Sequence, residues 1–88
     1  DGSLRGRVVH IDPFGNLETD VRADQLPPAA TVAIAGRKLP RVRRTYQEGE
    51  GLLAVVGSSG YLEIAVRQGN AAAELSADIG TPVVVRRR

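Results

Sequence analysis

The sequence predicts an all-β domain, a small antiparallel β-barrel of about seven short strands with one short helix near the C-terminus. Short apolar or alternating segments are separated by turn residues throughout the 88 residues, which include 10 Gly and 5 Pro. The core must come from aliphatic side chains, because Phe14, Tyr46 and Tyr61 are the only aromatic residues. Residues 1–88 suffice for one small domain, and no repeat or internal boundary divides them.

The first half of the chain is predicted to contain four strands. Alternating side chains or short apolar runs mark them, at Leu4–Ile11, Leu17–Val21, Thr31–Ala35 and Lys38–Arg43. Two consecutive prolines within residues 23–30 lack backbone donors, which predicts a connection there. Gly36 and Arg37 fit a hairpin turn. Pro40 indicates that the strand containing it lies at a sheet edge.

The second half of the chain is predicted to contain a loop at residues 45–51, three strands and one helix. The strands are Leu52–Val56, Tyr61–Val66 and Val83–Val85. The first of these is an unbroken apolar run, which is typical of a strand buried on both faces. The Gly-Ser-Ser-Gly segment at 57–60 predicts a tight turn. Residues 71–75 are good helix formers behind Asn70 as a cap, and the Gly-Thr-Pro at 80–82 is expected to end the helix.

The composition excludes several classes of site. The chain has no cysteine, which excludes disulfides, thiolate metal sites and cysteine nucleophiles, and which is compatible with a reducing cytoplasm. His10 is the only histidine, so we predict no metal site and expect His10 at the sheet surface. No apolar run is long enough to span a membrane. The net charge of +2 depends on Arg86–Arg88, which we expect to be a solvated C-terminal run.

The segment Asp12–Asn16, with the sequence Asp-Pro-Phe-Gly-Asn, connects the first two predicted strands. Each of these residue types except phenylalanine is a common turn former. One interpretation is a tight corner in which Asp12 and Asn16 cap their own backbone. The other is a rigid corner that presents both side chains to a ligand, as loops on a β-scaffold often do.

Three segments together resemble a known family. They are GRVVHIDPFGNLET at 6–19, Thr45-Tyr46 ahead of a Gly-Glu-Gly loop, and SSGYLEIAV at 58–66 followed by GNAA at 69–72. In this order they resemble the C-terminal domain of the S-adenosyl-L-methionine (SAM) hydroxide adenosyltransferases, or SAM hydrolases, which are related to the SAM-dependent fluorinase and chlorinase. The resemblance implies an N-terminal α/β domain that carries the catalytic residues, and a barrel that completes the SAM site across a subunit contact in a trimer.

The resemblance also implies roles for particular residues. Asp12 is expected to accept hydrogen bonds from the α-ammonium of SAM, and Asn16 to read the adenine edge. Phe14 and Gly15 are expected to shape the corner, and Tyr46 is expected to stack on adenine. Ser58, with Ser59 beside it, is expected to bind the methionine end. Arg67 and Gln68 are expected to meet adenine through their backbone. The chain departs from the family pattern at Asp20 and Gly57, where asparagine is usual.

The resemblance implies that the full-length protein hydrolyses SAM, its substrate, to adenosine and methionine with no cofactor, as a cytoplasmic homotrimer. We expect residues 1–88 alone to be inactive, with their missing α/β domain supplied by the same or a neighbouring subunit. Three alternatives stay open: a halogenase domain, a non-catalytic assembly barrel, and a nucleic-acid-binding barrel that uses Arg41–Arg44 and Arg86–Arg88. We expect no nucleic-acid partner, because three dispersed aromatics make a poor stacking platform.

Overall fold

The computed structural model describes residues 2–44 and 51–87. Within these residues the chain forms eight strands, one short α-helix, and a 3₁₀ turn at Ala23–Gln25. In chain order they are β1 (Leu4–Ile11), β2 (Leu17–Arg22), β3 (Ala30–Ile34), β4 (Arg37–Leu39), β5 (Val42–Arg43), β6 (Leu52–Val56), β7 (Tyr61–Val66), α1 (Ala71–Leu75) and β8 (Pro82–Arg87).

The strands form one curved sheet in the order β4-β3-β8-β1-β2-β7-β6-β5. Each pair of neighbours is antiparallel except β5 and β6, which run parallel. The edge strands approach each other, because β3 contacts β5 and β4 contacts β6, and the sheet is a nearly closed barrel. The prediction of an all-β small barrel is therefore confirmed, although the sheet formed by residues 2–44 and 51–87 has eight strands and one parallel pair.

The core lies inside the curved sheet and is aliphatic, as the sequence predicts. In β2 the side chains of Leu17, Thr19 and Val21 are buried and alternate with more exposed ones, which confirms the predicted half-buried strand. In β6 three consecutive residues, Leu53–Val55, are buried, which confirms burial on both faces. Fully buried side chains from the other strands complete the core, including Val8, Val32, Ile34, Leu62, Ile64, Val83 and Val85.

The predicted strand Lys38–Arg43 is wrong, because the structure divides it into β4 and β5. Pro40 lies between them and has no backbone N–H to continue the ladder. The hairpin turn before β4 also lies one residue earlier than predicted, at Ala35 and Gly36, with Ile34 paired to Arg37. Both turn residues have positive φ angles, 51° and 77°, as a type I′ hairpin turn requires.

Two further boundaries differ from the predictions. The last strand continues through Arg86 and Arg87, whose backbones pair with Thr31 and Ala30 of β3, although both side chains are exposed as expected of a solvated run. The helix ends at Ser76, whose φ of 50° gives a left-handed C-cap, well before the predicted Gly-Thr-Pro stop. Asn70 caps α1 as predicted, because its side chain accepts a hydrogen bond from the Ala73 N–H. His10 is exposed on β1, also as predicted.

Candidate functional site

The corner between β1 and β2 is organised by the carboxylate of Asp12. Its Oδ1 accepts hydrogen bonds from the backbone N–H groups of Phe14 and Asn16, each at 2.9 Å. Its Oδ2 accepts a third from the side-chain Nδ2 of Asn16, also at 2.9 Å. The Asn16 carbonyl accepts from the Asp12 N–H at 3.1 Å, and the Asp12 carbonyl from the Gly15 N–H at 3.0 Å. The self-capped corner predicted from the sequence is therefore present.

These contacts keep the Asp12 carboxylate ionised. Burial alone raises the pKa of Asp12, because it disfavours the charged form. The hydrogen bonds from the Asn16 backbone, the Asn16 side chain and the Phe14 backbone lower the pKa of Asp12, and an electrostatic interaction with His10 lowers it further. The net result is a pKa below the ordinary aspartate value of 3.8, so the group acts only as a hydrogen-bond acceptor near neutral pH.

The corner is fastened to the first turn of α1 through Gly15. The Gly15 carbonyl accepts a hydrogen bond from the Ala72 N–H at 3.0 Å. Gly15 has a φ of 85°, and a Cβ at this position would collide with the side chain of Asn70. Asn70 therefore both caps α1 and packs against the corner. The sequence identified the cap and the turn glycine separately, but nothing in it signalled that the two residues touch.

A shallow depression lies between the corner and the turn that follows β7, and four of the predicted site residues line it. These are Phe14, Asn16, Arg67 and Gln68, joined by Val66 and Gly69. The depression has a volume of about 450 Å³, and the Phe14 ring is 75% exposed at its rim. The Gly69 N–H donates to the Val66 carbonyl at 3.1 Å, which closes the turn that holds Arg67 and Gln68. Phe14, Asn16 and the turn after β7 thus line one concave surface.

The turn that contains Ser58 and Ser59 lies elsewhere, at the opposite end of β7 from the corner. Ile64, near the far end of β7, pairs with Leu17 beside the corner, whereas Tyr61 next to this turn pairs with Arg22. The partners Leu17 and Arg22 are five residues apart along β2, a separation of roughly 17 Å in an extended strand. The structure therefore does not bring Ser58 and Ser59 next to Asp12 and Asn16. Tyr46, the predicted stacking residue, lies outside the described residues.

A second depression of about 450 Å³ was not predicted from the sequence. It lies between the connection at 26–30 and the segment 40–44, and prolines and three arginines dominate its wall: Pro27, Pro28, Pro40, Arg41, Arg43 and Arg44. It contains none of the residues that the resemblance selects. We take the corner depression as the candidate site, because four residues that the resemblance selects line it, among them an exposed ring and an oriented amide.

Asp20 and Gly57, where the chain departs from the family pattern, have clear surroundings. Asp20 Oδ1 accepts a hydrogen bond of 2.9 Å from the backbone N–H of Arg7, which ties β2 to β1 beside the register shift that follows Val8. Asp20 thus has a structural partner on the neighbouring strand. A Cβ at Gly57 would approach the Glu63 carboxylate at 2.8 Å, so a larger residue there requires that flexible side chain to move.

Across residues 2–44 and 51–87, no three side chains of His, Cys, Asp or Glu are grouped so that they could hold a metal ion. In the same part of the chain, no helix is long and apolar enough to cross a membrane.

Comparisons with known proteins agree with one another. A family model described as "SAM hydroxide adenosyltransferase C-terminal domain" matches residues 6–84. A Thermus thermophilus protein named (R)-S-adenosyl-L-methionine hydrolase is 43% identical over 81 residues, which cover 89% of this chain and 30% of that protein. The matched 6–84 segment includes the whole corner and both sides of the depression.

Two solved structures share the fold. A conserved hypothetical protein from Thermus thermophilus has a TM-score of 0.77 and 37% identity over 92% of this chain and 32% of its own. An uncharacterized conserved protein from Thermotoga maritima has a TM-score of 0.81 and 26% identity over 99% of this chain and 37% of its own. The chain therefore spans about a third of the length of the proteins that it matches.

Proposed function

The chain belongs to the SAM hydroxide adenosyltransferase family, as its C-terminal domain, and we propose that it forms the substrate-binding barrel of an enzyme that hydrolyses SAM to adenosine and methionine. The observation that carries the proposal is the corner depression, where the Asn16 amide and the exposed Phe14 ring face the same concave surface. The name of the Thermus relative, a SAM hydrolase, supports the same reaction.

The corner depression is proposed to hold the adenine end of SAM. An asparagine amide offers one donor and one acceptor, which match the amino group and ring nitrogen on an adenine edge. Phe14 supplies an apolar surface for the base, and the backbone around Arg67 and Gln68 supplies further polar groups. Tyr46 is proposed to stack on the base.

The methionine end of SAM is proposed to extend away from the corner. Three of the roughly four acceptor positions of the Asp12 carboxylate are used within the corner, which leaves about one for a ligand. Ser58, and Ser59 beside it, lie at the other end of β7, so a contact from this turn requires a ligand that runs along the strand. The two ends of β7 thus match a ligand with two polar ends.

The described residues form only one wall of a site, because the depression is shallow and Phe14 is mostly exposed. Ligand pockets usually bury most of their ligand. We propose that an α/β domain of the same or a neighbouring subunit supplies the other wall and the catalytic groups, in a cytoplasmic homotrimer. There a water-derived nucleophile attacks the ribose 5′ carbon of SAM and methionine leaves. A barrel without cysteine is compatible with the reducing conditions of that compartment.

The test is an assay of the full-length protein with SAM, with and without chloride. Adenosine and methionine as the products in both conditions support the proposal, whereas a 5′-chlorinated nucleoside assigns the halogenase activity instead. Asn16→Ala is expected to weaken adenosine binding roughly tenfold, because it removes about two hydrogen bonds. Asn70→Ser retains a helix-capping side chain outside the depression and is the matched control. No SAM turnover and no adenosine binding by the unmodified protein would refute the proposal.

A further inference from the structure

We infer that Asp12 is a specificity-determining positioning residue, which fixes the Asn16 amide in one orientation so that the site selects a 6-amino purine over a 6-oxo purine. The inference rests on the proposed function, because it takes the corner depression as the site of the base. It concerns Asp12 as a partner of Asn16, which is a different role from binding the ammonium of SAM.

The orientation of the Asn16 amide follows from what surrounds it. The Asp12 carboxylate is ionised and can only accept, so the group of Asn16 that faces Oδ2 at 2.9 Å must be the amino group. The reverse orientation would place two oxygen acceptors against each other. Asp12 itself cannot rotate away, because two backbone N–H groups hold its Oδ1. The side-chain oxygen of Asn16 therefore points away from Asp12.

A ligand in the depression meets Asn16 in this fixed orientation. Within the described residues no hydrogen bond to Asn16 Oδ1 is formed, so this oxygen and the second N–H are available. The 6-amino group of adenine is a donor that pairs with Oδ1, and a ring nitrogen accepts from the N–H. A 6-oxo purine places an acceptor where adenine has its donor. It can pair only if the Asn16 amide turns over, which Asp12 opposes.

Asp12→Asn changes this orientation with little change in shape. The side-chain oxygen of the introduced amide can keep both backbone hydrogen bonds, because asparagine forms the same kind of turn as aspartate. Its amino group then takes the place of Oδ2 and is a donor. The Asn16 amide must turn its oxygen toward that donor and its amino group toward the ligand. The preferred purine should therefore change from 6-amino to 6-oxo.

The experiment measures the dissociation constants of adenosine and inosine by calorimetry, using the full-length protein. The unmodified protein should prefer adenosine by roughly ten- to a hundredfold, the discrimination typical of one bidentate base contact. In Asp12→Asn the preference should fall by at least about tenfold, with inosine binding gained. Asp78→Asn is the matched control. Its carboxylate accepts from the Ile79 N–H in a similar exposed turn, and the preference should not change.

The other outcomes are distinguishable. If Asp12→Asn keeps the preference of the unmodified protein, or loses both nucleosides in proportion, the inference is wrong and the proposed function stands. Weakened SAM binding with an unchanged nucleoside preference also overturns it, and assigns Asp12 to the ammonium instead. If the unmodified protein binds neither SAM nor adenosine, the proposed function fails and the inference with it.

A second measurement covers the case in which Asp12→Asn does not fold. In the unmodified protein labelled with ¹⁵N and ¹³C, NMR should detect coupling across the hydrogen bond between Asn16 Nδ2 and the Asp12 carboxylate carbon. It should also show one slowly exchanging side-chain N–H at Asn16. Absence of this coupling, together with rapid exchange of both side-chain protons at Asn16, would overturn the inference without any variant.

Discussion

The carbonyl oxygen of Gly15 accepts a hydrogen bond of 3.0 Å from the backbone N–H of Ala72. This contact joins the β1–β2 corner to the first turn of α1, two segments that are distant in the sequence. Because the corner and the turn after β7 form the two sides of the depression, α1 helps to fix the distance between them. The geometry of the candidate site therefore depends on a helix that contributes no residue to its lining.

Gly15→Ala should destabilise the domain by about 2 kcal/mol or more. The substitution forces a residue with a Cβ into a positive φ and drives that Cβ into the Asn70 side chain. Gly36→Ala is the matched control, since Gly36 also has a positive φ but nothing within 4 Å of an added Cβ, and it should cost only about 1 kcal/mol. Urea unfolding of both variants measures the difference. Equal losses would contradict the steric role of Asn70.

Asn70 and Gly15 should be energetically coupled. Asn70→Ala removes the cap of α1 and should cost about 1 kcal/mol on its own. It also removes the side chain that blocks a Cβ at position 15, so the double variant should lose less than the sum of the two single losses. A double-mutant cycle by urea unfolding should give a coupling of about 1 kcal/mol. Strict additivity would show that the corner relaxes away from α1 instead.

Thr19→Val should destabilise the barrel by about 1–3 kcal/mol. The buried Thr19 hydroxyl donates to the Leu62 carbonyl at 2.7 Å and accepts from the Val21 N–H at 3.2 Å. Valine fills the same volume but leaves the Leu62 carbonyl without the hydroxyl donor of Thr19. Thr31→Val is the control, because its hydroxyl makes only a 3.4 Å contact with the Arg86 carbonyl. Thermal unfolding should show a clearly smaller loss for Thr31→Val, and a reversed order would contradict the role assigned to the Thr19 hydroxyl.

Asp12 should contribute stability that depends on pH. Its pKa in the folded chain is below the ordinary value of 3.8 that applies to the unfolded chain. The contribution is therefore complete above this ordinary value and is lost as the pH falls through the folded pKa. The free energy of unfolding of the unmodified protein should thus decrease more steeply below about pH 4 than that of Asp12→Asn. Parallel pH profiles of the two proteins would contradict this prediction.

Ser58→Ala should lower the affinity of the full-length protein for SAM and leave its affinity for adenosine unchanged. Ser58 lies at the end of β7 that is remote from the corner, and its expected partner is the methionine end of SAM, which adenosine lacks. Loss of one hydrogen bond should weaken SAM binding by roughly three- to tenfold. Titration of both ligands measures the effect. An equal loss for adenosine would place Ser58 at the base instead.

The sequence predicted those parts of the fold that depend on local patterns. The alternation in β2, the continuous apolar run in β6 and the Asn70 cap were all read correctly, because each follows from neighbouring side chains. The division at Pro40 and the extension of β8 to Arg87 were missed. Both features depend on the neighbouring strand with which each segment pairs. Arg86 and Arg87, for example, are held in the sheet because they pair with β3.

The candidate site was predictable to a similar extent. The turn chemistry of Asp12–Asn16 indicated a self-capped corner, and the resemblance selected four of the six residues that line the depression. The orientation of the Asn16 amide was not predictable, because it depends on a side-chain contact at 2.9 Å rather than on residue type. The distance between Ser58 and the corner was also missed, since it follows from the antiparallel register of β2 and β7.

The position of β8 in the sheet affects how the barrel is assembled. β8 lies between β3 and β1, so without it the sheet would separate into a β4-β3 hairpin and a five-stranded β1-β2-β7-β6-β5 unit. Among the strands of the described residues, the one that joins these two units is the last to be synthesised, and its pairing of Leu4 with Val85 closes residues 4–85 into one loop. Folding therefore cannot be completed while the chain is still growing through β7. The barrel should form slowly for its size, because its decisive pairing is non-local.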